Sequence, residues 1–384
     1  MKSLRKWAAL ALCGAMLLTG CGGGDATWAY EQGGEKMPVG VYIMGMVEDY
    51  GKVWTDIRNE GNIETIKSKD VMDYQVDGQA GSAWISAHAQ QRVLEYYGAA
   101  KKAGEIGLEL TEGELGNVKS SAASIWNGGM RDYIRQYDAY GMPASAEQFL
   151  MRLDQEQLEA SGVALASLEQ YITGQMLRSA LFNKLYGSGG EREVTQEQLL
   201  ETYSTLYAKA NTLTVYKKFA YEGEELSEES VQANAVSKSL TESYLERVKN
   251  GETIEDLQYE YDLMRAQESE EGEAATEEVT EYEPGSLAFL FPLTGTMGPA
   301  DEAVAAAAYG EPIMAEDEYA FYVLSRIDIS QDVEGMEQYK SSLLWKMKQE
   351  EFEADLATWG AEAGFTVNQS AIDKYTPSKL KLTV

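Results

Sequence analysis

Asn211-Thr212-Leu213-Thr214-Val215-Tyr216 is the stretch that decides the fold, because the chain changes character there. Its residues are mostly β-branched, apolar or aromatic, which is typical of a β-strand. The segments before it carry apolar residues at helical spacing, whereas those after it mix helical and strand-like patterns. The sequence therefore predicts a helical first half and a mixed region that begins near residue 210.

Helical patterns dominate the chain before this strand. Between Ile85 and Ala103, apolar residues recur every three or four positions, which predicts one face of a helix. Thr111 and Glu114 have the spacing of a capping box, which predicts a helix start. Other predicted helices begin at Ser145, Leu165 and Thr195, and the last ends near Lys209. The apolar segment 39–57 leaves strand and helix open.

Mixed structure is predicted after the strand. Helices are expected over 230–250, 254–261 and 301–308, and further strands near 284–289 and over 319–324. Residues 264–283 contain eight Glu and one Arg, so we expect a disordered acidic insertion. A long helix from Val333 carries an apolar stripe that must be buried, and the helical first half is its natural partner. The helical domain would then be discontinuous.

Charge and cysteine content limit the classes of partner. The net charge is −31, and the first 20 residues carry three positive charges and no acid, so the rest is more acidic still. Such a charge repels nucleic acid and anionic lipid headgroups, whereas it favours solubility and basic or unfolded chains. Cys13 and Cys21 are the only cysteines, so neither a disulfide nor a cysteine metal site is expected after processing.

The N-terminus resembles a bacterial lipoprotein signal. Lys2, Arg5 and Lys6 precede an apolar run of about a dozen residues, which is too short to span a bilayer. Leu18-Thr19-Gly20-Cys21 is similar to a lipobox, which implies cleavage after Gly20 and lipid attachment to the Cys21 thiol. Glycines follow and predict a flexible tether over 21–38. The alternative is an ordinary signal peptide that ends near a cysteine.

The layout as a whole resembles the PrsA/SurA-type extracytoplasmic foldases over about residues 80–372. The matching segments are 99–104 with 110–115 in the helical part, and 248–257, 285–289 and 310–319 in the mixed part. The resemblance implies an α+β, mostly helical fold, in which a parvulin-like α/β domain is inserted into a discontinuous, SurA-N-like helical chaperone domain. The implied parts are a signal peptide over 1–20, the tether over 21–38, a helical domain over 39–209, the inserted domain over 210–331 with its insertion over 264–283, and a closing helix over 332–372.

The resemblance also locates an expected isomerase site. Parvulins carry two histidines on neighbouring strands beside a pocket of Met, Leu and Phe. In this sequence the first histidine position falls near Tyr216 or Lys217, and the second falls on Ala320. The pocket Met corresponds to Met297, whereas the pocket Phe corresponds to Asp301. We therefore expect a parvulin fold that has lost most or all of its catalysis.

Other candidate sites are interpreted as structural. His88, the only histidine, lies on a predicted helix without a thiol or triad partner, so packing is its expected role. Segment 73–78 begins like a calcium loop, but Trp84 stands where a bidentate Glu is needed, so we expect a turn. Neither metal nor cofactor is expected. Tyr and Met residues that could be core or line a client groove are Tyr96, Tyr97, Met130, Tyr133, Tyr137, Tyr140 and Met142.

Three functions follow from these features. The first is a lipid-anchored chaperone outside the bacterial cell membrane that binds unfolded or nascent secreted polypeptides and does not bind nucleic acid. The second is an active prolyl isomerase that uses Tyr216, Tyr319 and Met297 in place of histidines. The third is a solute-binding lipoprotein, although that class is typically built from repeated β-α units rather than from five successive helices.

Overall fold

The structure is a computed structural model that describes residues 27–61, 66–131, 133–134, 146–222, 225–269, 279–295 and 297–382. Gly20, Cys21 and the predicted signal peptide lie outside the described residues. The chain divides into two compact units, one formed by Met1–Glu193 with Lys348–Val384 and the other by Val194–Met347. The predicted inserted domain of 210–331 lies within the second unit, which begins earlier and ends later. The α+β, mostly helical fold is confirmed.

The first unit is mainly helical. Its helices are α1 (Val39–Glu60), α2 (Ser68–Asp73), α3 (Gly81–Ile106), α4 (Glu112–Trp126), α5 (Ala146–Leu150), α6 (Gln155–Ser161), α7 (Leu165–Tyr186), the second part of α12 (Val333–Ala363), α13 (Gln369–Lys374) and a 3-10 turn at Pro377–Lys379. Its strands are β1 (Trp28–Gln32), β2 (Glu35–Pro38), β3 (Gln75–Val76), β4 (Gln79–Ala80) and β11 (Thr366–Val367).

Helix α1 is the centre of this unit. Residues on nearly all of its faces are buried, and it packs against α3, α5 and α7. Residues 39–47 are buried on all sides, and a helix segment that is apolar all round shows no one-sided pattern, whereas Glu48, Lys52 and Asp56 give the second half of α1 a partly exposed polar side. Its one fully buried carboxylate, Asp49, accepts hydrogen bonds from Arg92 Nε at 3.1 Å and Nη2 at 2.7 Å through Oδ1.

The tether prediction is wrong for its second half. Strands β1 and β2 form an antiparallel sheet with β11 in the order β11-β1-β2, and Tyr30 pairs with Val367. The Asn368 side chain also donates to the Trp28 carbonyl at 2.9 Å, and the Tyr30 and Phe365 rings lie 5.5 Å apart. Residues 28–38 therefore form a hairpin that is held by the C-terminal segment, because β1 pairs with the neighbouring β2 on one side and with the distant β11 on the other.

The C-terminal part of α12 crosses α3 at two glycines. A Cβ at Gly98 would overlap the Leu356 carbonyl oxygen, and a Cβ at Gly360 would overlap the Leu94 carbonyl oxygen. The helix backbones therefore touch at this crossing, which only glycine permits. Gly360 lies inside α12, which ends at Ala363 rather than at the predicted residue 372. The ordered chain also extends beyond the predicted end at residue 372, since Leu380 is buried in the same core.

The second unit contains α8 (Gln196–Leu206), β5 (Tyr207–Tyr216), β6 (Tyr221–Glu222), β7 (Glu225–Leu226), α9 (Glu228–Lys249), α10 (Ile254–Ser269), β8 (Ala288–Pro292), α11 (Pro299–Ala306), β9 (Pro312–Glu316), β10 (Ala320–Ile327) and the first part of α12. A four-stranded antiparallel sheet has the order β8-β5-β10-β9. One face packs on α9 and α10, and the other packs on α11.

Several predicted boundaries in this unit are corrected. The deciding strand begins five residues earlier than predicted, and α8 therefore ends at Leu206 rather than near Lys209. Helix α10 runs to Ser269, so the first six residues of the predicted disordered insertion are helical, while 270–278 lie outside the described residues. Strand β9 was not predicted. The described residues include no helix that is both long and apolar enough to cross a membrane.

Candidate functional site

The structure brings together most of the predicted isomerase positions at one end of the β5–β10 strand pair. Tyr216 and Ala320 are direct cross-strand partners. One residue further, the Lys217 N–H donates to the Tyr319 carbonyl at 2.9 Å. Ala320 is buried, whereas Tyr216 and Tyr319 are exposed. The sequence therefore located the strand ends that meet, although none of these residues is a histidine.

Lys217 is held by its own surroundings. Its Nζ atom lies 2.8 Å from Glu316 Oε1 and 2.6 Å from the Asp317 carbonyl oxygen, and it stands 4.7 Å from the centre of the Phe321 ring. The hydrogen bond from Lys217 is the main cause that lowers the pKa of Glu316. The ammonium group is thus committed to a structural ion pair at the strand ends.

The turn between β9 and β10 is organised by Asp317. Its Oδ1 atom accepts the N–H groups of Tyr319 at 2.7 Å and Ala320 at 2.8 Å, and its Oδ2 atom accepts the Tyr322 hydroxyl at 2.8 Å. Burial raises the pKa of Asp317, but these hydrogen bonds outweigh burial and hold the pKa below its ordinary value. The Tyr322 pKa is raised, first by burial and then by Asp317, so its hydroxyl stays a neutral donor.

Met297 and Asp301 belong to the start of α11. The Asp301 carboxylate accepts the Gly298 N–H at 2.6 Å and thereby closes the first turn of this helix. Met297 is half-buried. Among the described residues, no hydrogen bond, ion pair or ring contact joins either of them to Tyr216, Lys217 or Ala320. Asp301 therefore has a capping role, which the sequence analysis did not consider.

The free edge of β5 is covered by side chains of α10. Strand β8 pairs with β5 only as far as Asn211, so the later N–H groups need other partners. The Thr214 N–H donates to Gln258 Oε1 at 2.7 Å, and the Tyr216 N–H donates to the Tyr261 hydroxyl at 3.0 Å. These two bonds complete the outer edge of the strand where it approaches the site.

A group of exposed apolar side chains lies just beyond this strand end, and we call it the aromatic patch. It consists of Phe219, Tyr221, Leu226 and Tyr319, whose exposed fractions are 44%, 62%, 36% and 61%. The Phe219 and Tyr319 rings meet edge to face with centroids 6.4 Å apart, and Tyr221 pairs with Leu226 across the β6–β7 hairpin. The sequence analysis missed this patch. Its signal was two aromatic residues in a short polar connection between a strand and a helix.

The backbone of the patch is anchored to the start of α9. The Lys218 N–H donates to Asn234 Oδ1 at 2.6 Å, and the Ala220 N–H donates to Ser230 Oγ at 2.9 Å. The Ser227 N–H in turn donates to the Ala220 carbonyl at 2.8 Å. Both flanks of Phe219 are thus fixed, so its ring is exposed on a rigid segment.

Two of the remaining candidates, His88 and segment 73–78, lie in structural contacts. His88 stacks on Trp84 with ring centroids 3.7 Å apart, and burial is the main cause that lowers its pKa. Residues 75–80 form a hairpin with Asp77 and Gly78 at positive φ, which confirms the predicted turn. The described residues include no group of three or more His, Cys, Asp or Glu side chains that could hold a metal ion.

The possible groove residues of the first unit do not form one surface in the described part of the chain. Tyr97 is buried, Tyr96 is half-buried, and Met130 and Tyr133 are exposed. Tyr137, Tyr140 and Met142 lie outside the described residues.

The chain was compared with known proteins. No protein-family model and no curated protein sequence matches it. It is similar to three solved structures of PrsA foldase proteins. The one from Lactococcus lactis has a TM-score of 0.34 and 14% identity, covering 91% of this chain and 100% of its own. The one from Bacillus subtilis has a TM-score of 0.24 and 13% identity, covering 79% of this chain and 92% of its own. The one from Streptococcus pneumoniae has a TM-score of 0.32 and 14% identity, covering 78% of this chain and 97% of its own. At these TM-scores the similarity by itself supports neither a fold nor a function.

Proposed function

We propose that this chain is a chaperone of secreted polypeptides, anchored outside the bacterial cell membrane by lipid on Cys21. The observation that supports it most is the exposed and rigid aromatic patch on a strongly acidic chain. Exposed aromatic side chains offer weak and sequence-tolerant contacts to apolar segments of unfolded chains. The net charge of −31 would keep the resulting complexes soluble.

The second part of the proposal is that the mixed unit keeps a parvulin-like fold without isomerase activity. Catalysis of prolyl isomerisation must lower a barrier of roughly 18–20 kcal/mol, which requires a shaped and desolvated site. At the corresponding positions, Lys217 is engaged by Glu316, Asp301 caps a helix, and Ala320 has no functional group. The polar groups at the strand ends are satisfied by one another rather than directed toward a bound proline.

The solute-binding alternative receives no support. Repeated β-α units give parallel sheets, because parallel strands need helical crossovers. Every strand pair in the described residues is antiparallel.

An aggregation assay tests the chaperone proposal. The mature chain with Cys21→Ser would be mixed at equal molar ratio with a chemically unfolded secreted enzyme that is diluted into buffer, and light scattering would be followed. We expect scattering to be delayed and reduced relative to an inert acidic protein at the same concentration. Equal scattering in the two samples would refute the proposal.

Two further measurements test the remaining parts. In an isomerisation assay on a proline tetrapeptide, we expect the uncatalysed rate, and acceleration that rises with protein concentration would show an active isomerase instead. In cells, we expect labelled fatty acid to be incorporated into the parent chain and not into Cys21→Ser. Label in both proteins would exclude Cys21 as the lipid attachment site.

A further inference from the structure

The aromatic patch combines exposure with rigidity, and this combination is typical of binding surfaces. The side chains of Phe219, Tyr221 and Tyr319 expose about half of their surface to water, although the sheet and helices of the same unit enclose buried positions that other aromatic side chains occupy. The backbone on both sides of Phe219 is fixed by hydrogen bonds to Asn234 and Ser230, and the Tyr319 N–H is held by Asp317. Side chains with few rotatable bonds on a fixed backbone lose little entropy when a partner binds.

The charges around the patch are unbalanced. Glu225 and Glu228 flank Leu226 along the chain, and Glu318 precedes Tyr319. All three carboxylates are exposed, and none forms an ion pair with a lysine or arginine among the residues that the structure describes. Glu318 is the chain neighbour of Tyr319, and its carboxylate is the main cause that raises the pKa of the Tyr319 hydroxyl.

The lysines nearest to the patch cannot balance these carboxylates. Lys218 pairs with Glu229 at 2.8 Å, while Lys217 and Lys238 both pair with Glu316, at 2.8 and 3.4 Å. These three lysines share two carboxylates, which leaves one positive charge against the three carboxylates of Glu225, Glu228 and Glu318. The patch is left with a net negative rim around aromatic faces, and such faces themselves attract cations.

From this geometry we propose that the aromatic patch binds basic, apolar segments of unfolded polypeptides. The inference rests on the proposed chaperone function and specifies the class of client segment. The rings would contact apolar side chains and the stems of Lys or Arg, while Glu225, Glu228 and Glu318 would pair with the charged ends. Acidic segments would be repelled, and so would a second copy of this chain, because its patch carries the same sign of charge.

Peptide binding tests the inference directly. Three fluorescent, unstructured peptides would share the same apolar residues and differ only in Lys, Gln or Glu at the remaining positions, and anisotropy would be measured against the mature chain with Cys21→Ser. We expect the Lys peptide to bind at least about tenfold more tightly than the Glu peptide at low salt. Added salt should reduce this difference, because the charges are exposed.

Two sets of variants assign the binding to the patch. One replaces the rings (Phe219→Ser, Tyr221→Ser, Tyr319→Ser), and the other reverses the rim (Glu225→Lys, Glu228→Lys, Glu318→Lys). We expect each set to weaken binding of the Lys peptide about tenfold or more, and the reversed rim to prefer the Glu peptide. The matched control is Val236→Ser with Glu242→Lys on α9, since both residues are exposed away from the hairpin. It should change binding less than about twofold.

The outcomes separate this inference from the proposed function. If the parent suppresses aggregation but both variant sets bind the Lys peptide as well as the control does, the inference is wrong and the chaperone function stands. If the parent binds Lys and Glu peptides equally, the inference is also wrong. If the patch binds the Lys peptide as expected but the parent does not reduce aggregation, the site is supported and the chaperone proposal fails. Circular dichroism of every variant ensures that lost binding does not reflect unfolding.

Discussion

The glycine crossing of α3 and α12 gives a prediction with opposite signs at two positions of one helix. Gly98→Ala would place a methyl group against the backbone of α12, where it would overlap the Leu356 carbonyl oxygen and lie 3.0 Å from the Gly360 nitrogen. Gly104→Ala makes the same chemical change on α3, but nothing lies within 4 Å of the new methyl group. The two variants therefore differ only in what the methyl group meets.

The expected magnitude follows from these distances. Carbon atoms in contact prefer separations of about 3.5–4.0 Å, so the backbones must separate by roughly 1 Å to admit the methyl group. Overpacking costs about 1–3 kcal/mol, and a backbone obstacle places this site toward the upper end. Alanine gains up to about 1 kcal/mol over glycine in a helix. We expect Gly98→Ala to lower the free energy of unfolding by about 1–2 kcal/mol and Gly104→Ala to raise it by up to about 1 kcal/mol.

Urea unfolding followed by circular dichroism would measure both effects. With a slope of about 1–3 kcal/mol per molar urea, the midpoint should fall by roughly 0.5–1 M for Gly98→Ala and rise slightly for Gly104→Ala. Gly116→Ala on α4, which is equally unobstructed, serves as a second control. A midpoint for Gly98→Ala at or above that of the parent would show that α12 does not touch α3 as described.

Three other substitutions test the polar contacts. Arg92→Met leaves the buried Asp49 carboxylate without its cation and should lower the free energy of unfolding by about 3–5 kcal/mol, measured by thermal or urea unfolding. Because burial already raises the pKa of Asp49, this destabilisation should be smaller at pH 4 than at pH 7. A destabilisation that does not depend on pH would contradict this. Asp317→Asn should lower the free energy of unfolding by about 1–2 kcal/mol at pH 7. Since the pKa of Asp317 is lowered in the folded protein, the difference in stability from the parent should vanish as pH falls below about 4. A difference that grows in acid would show that the Asp317 carboxylate does not organise the turn as described. Thr111→Ala removes the hydroxyl that accepts the Glu114 N–H at 3.2 Å and should cost about 1 kcal/mol, with faster amide exchange at the start of α4 as the local readout; unchanged exchange there would argue against the cap.

Local signals in the sequence predicted much of the helical structure. The capping boxes at Thr111 and Thr195 form as their spacing predicts, and the helix over 165–186 has the predicted bounds. These elements depend on contacts between residues three or four apart, which a sequence displays directly. Helix α1 remained open because residues 39–47, its first half, are buried on all sides and show no polar side.

Elements that depend on distant partners were missed. Strand β1 lies in a glycine-rich polar region, and besides its local partner β2 it pairs with the distant Thr366 and Val367. At the candidate site, the neighbourhood of Tyr216 and Ala320 followed from the resemblance, and their direct pairing agrees with it. The exposure of Phe219 could not be predicted, because it follows from how the chain folds around the start of α9. The capping role of Asp301 was a local signal, since Asp301 lies three residues after Gly298 with Pro299 between them, but the resemblance directed attention to a pocket position instead.

The covered edge of β5 also limits how an unfolded chain could attach to the proposed binding surface. An open strand edge can pair with a strand of another chain. Each added hydrogen bond lengthens the time for which that chain stays bound, and repeated pairing can seed a cross-β aggregate. Gln258 and Tyr261 already occupy the N–H groups that such pairing needs. A client bound at the proposed site would therefore find these two N–H groups occupied and could not extend the sheet through them.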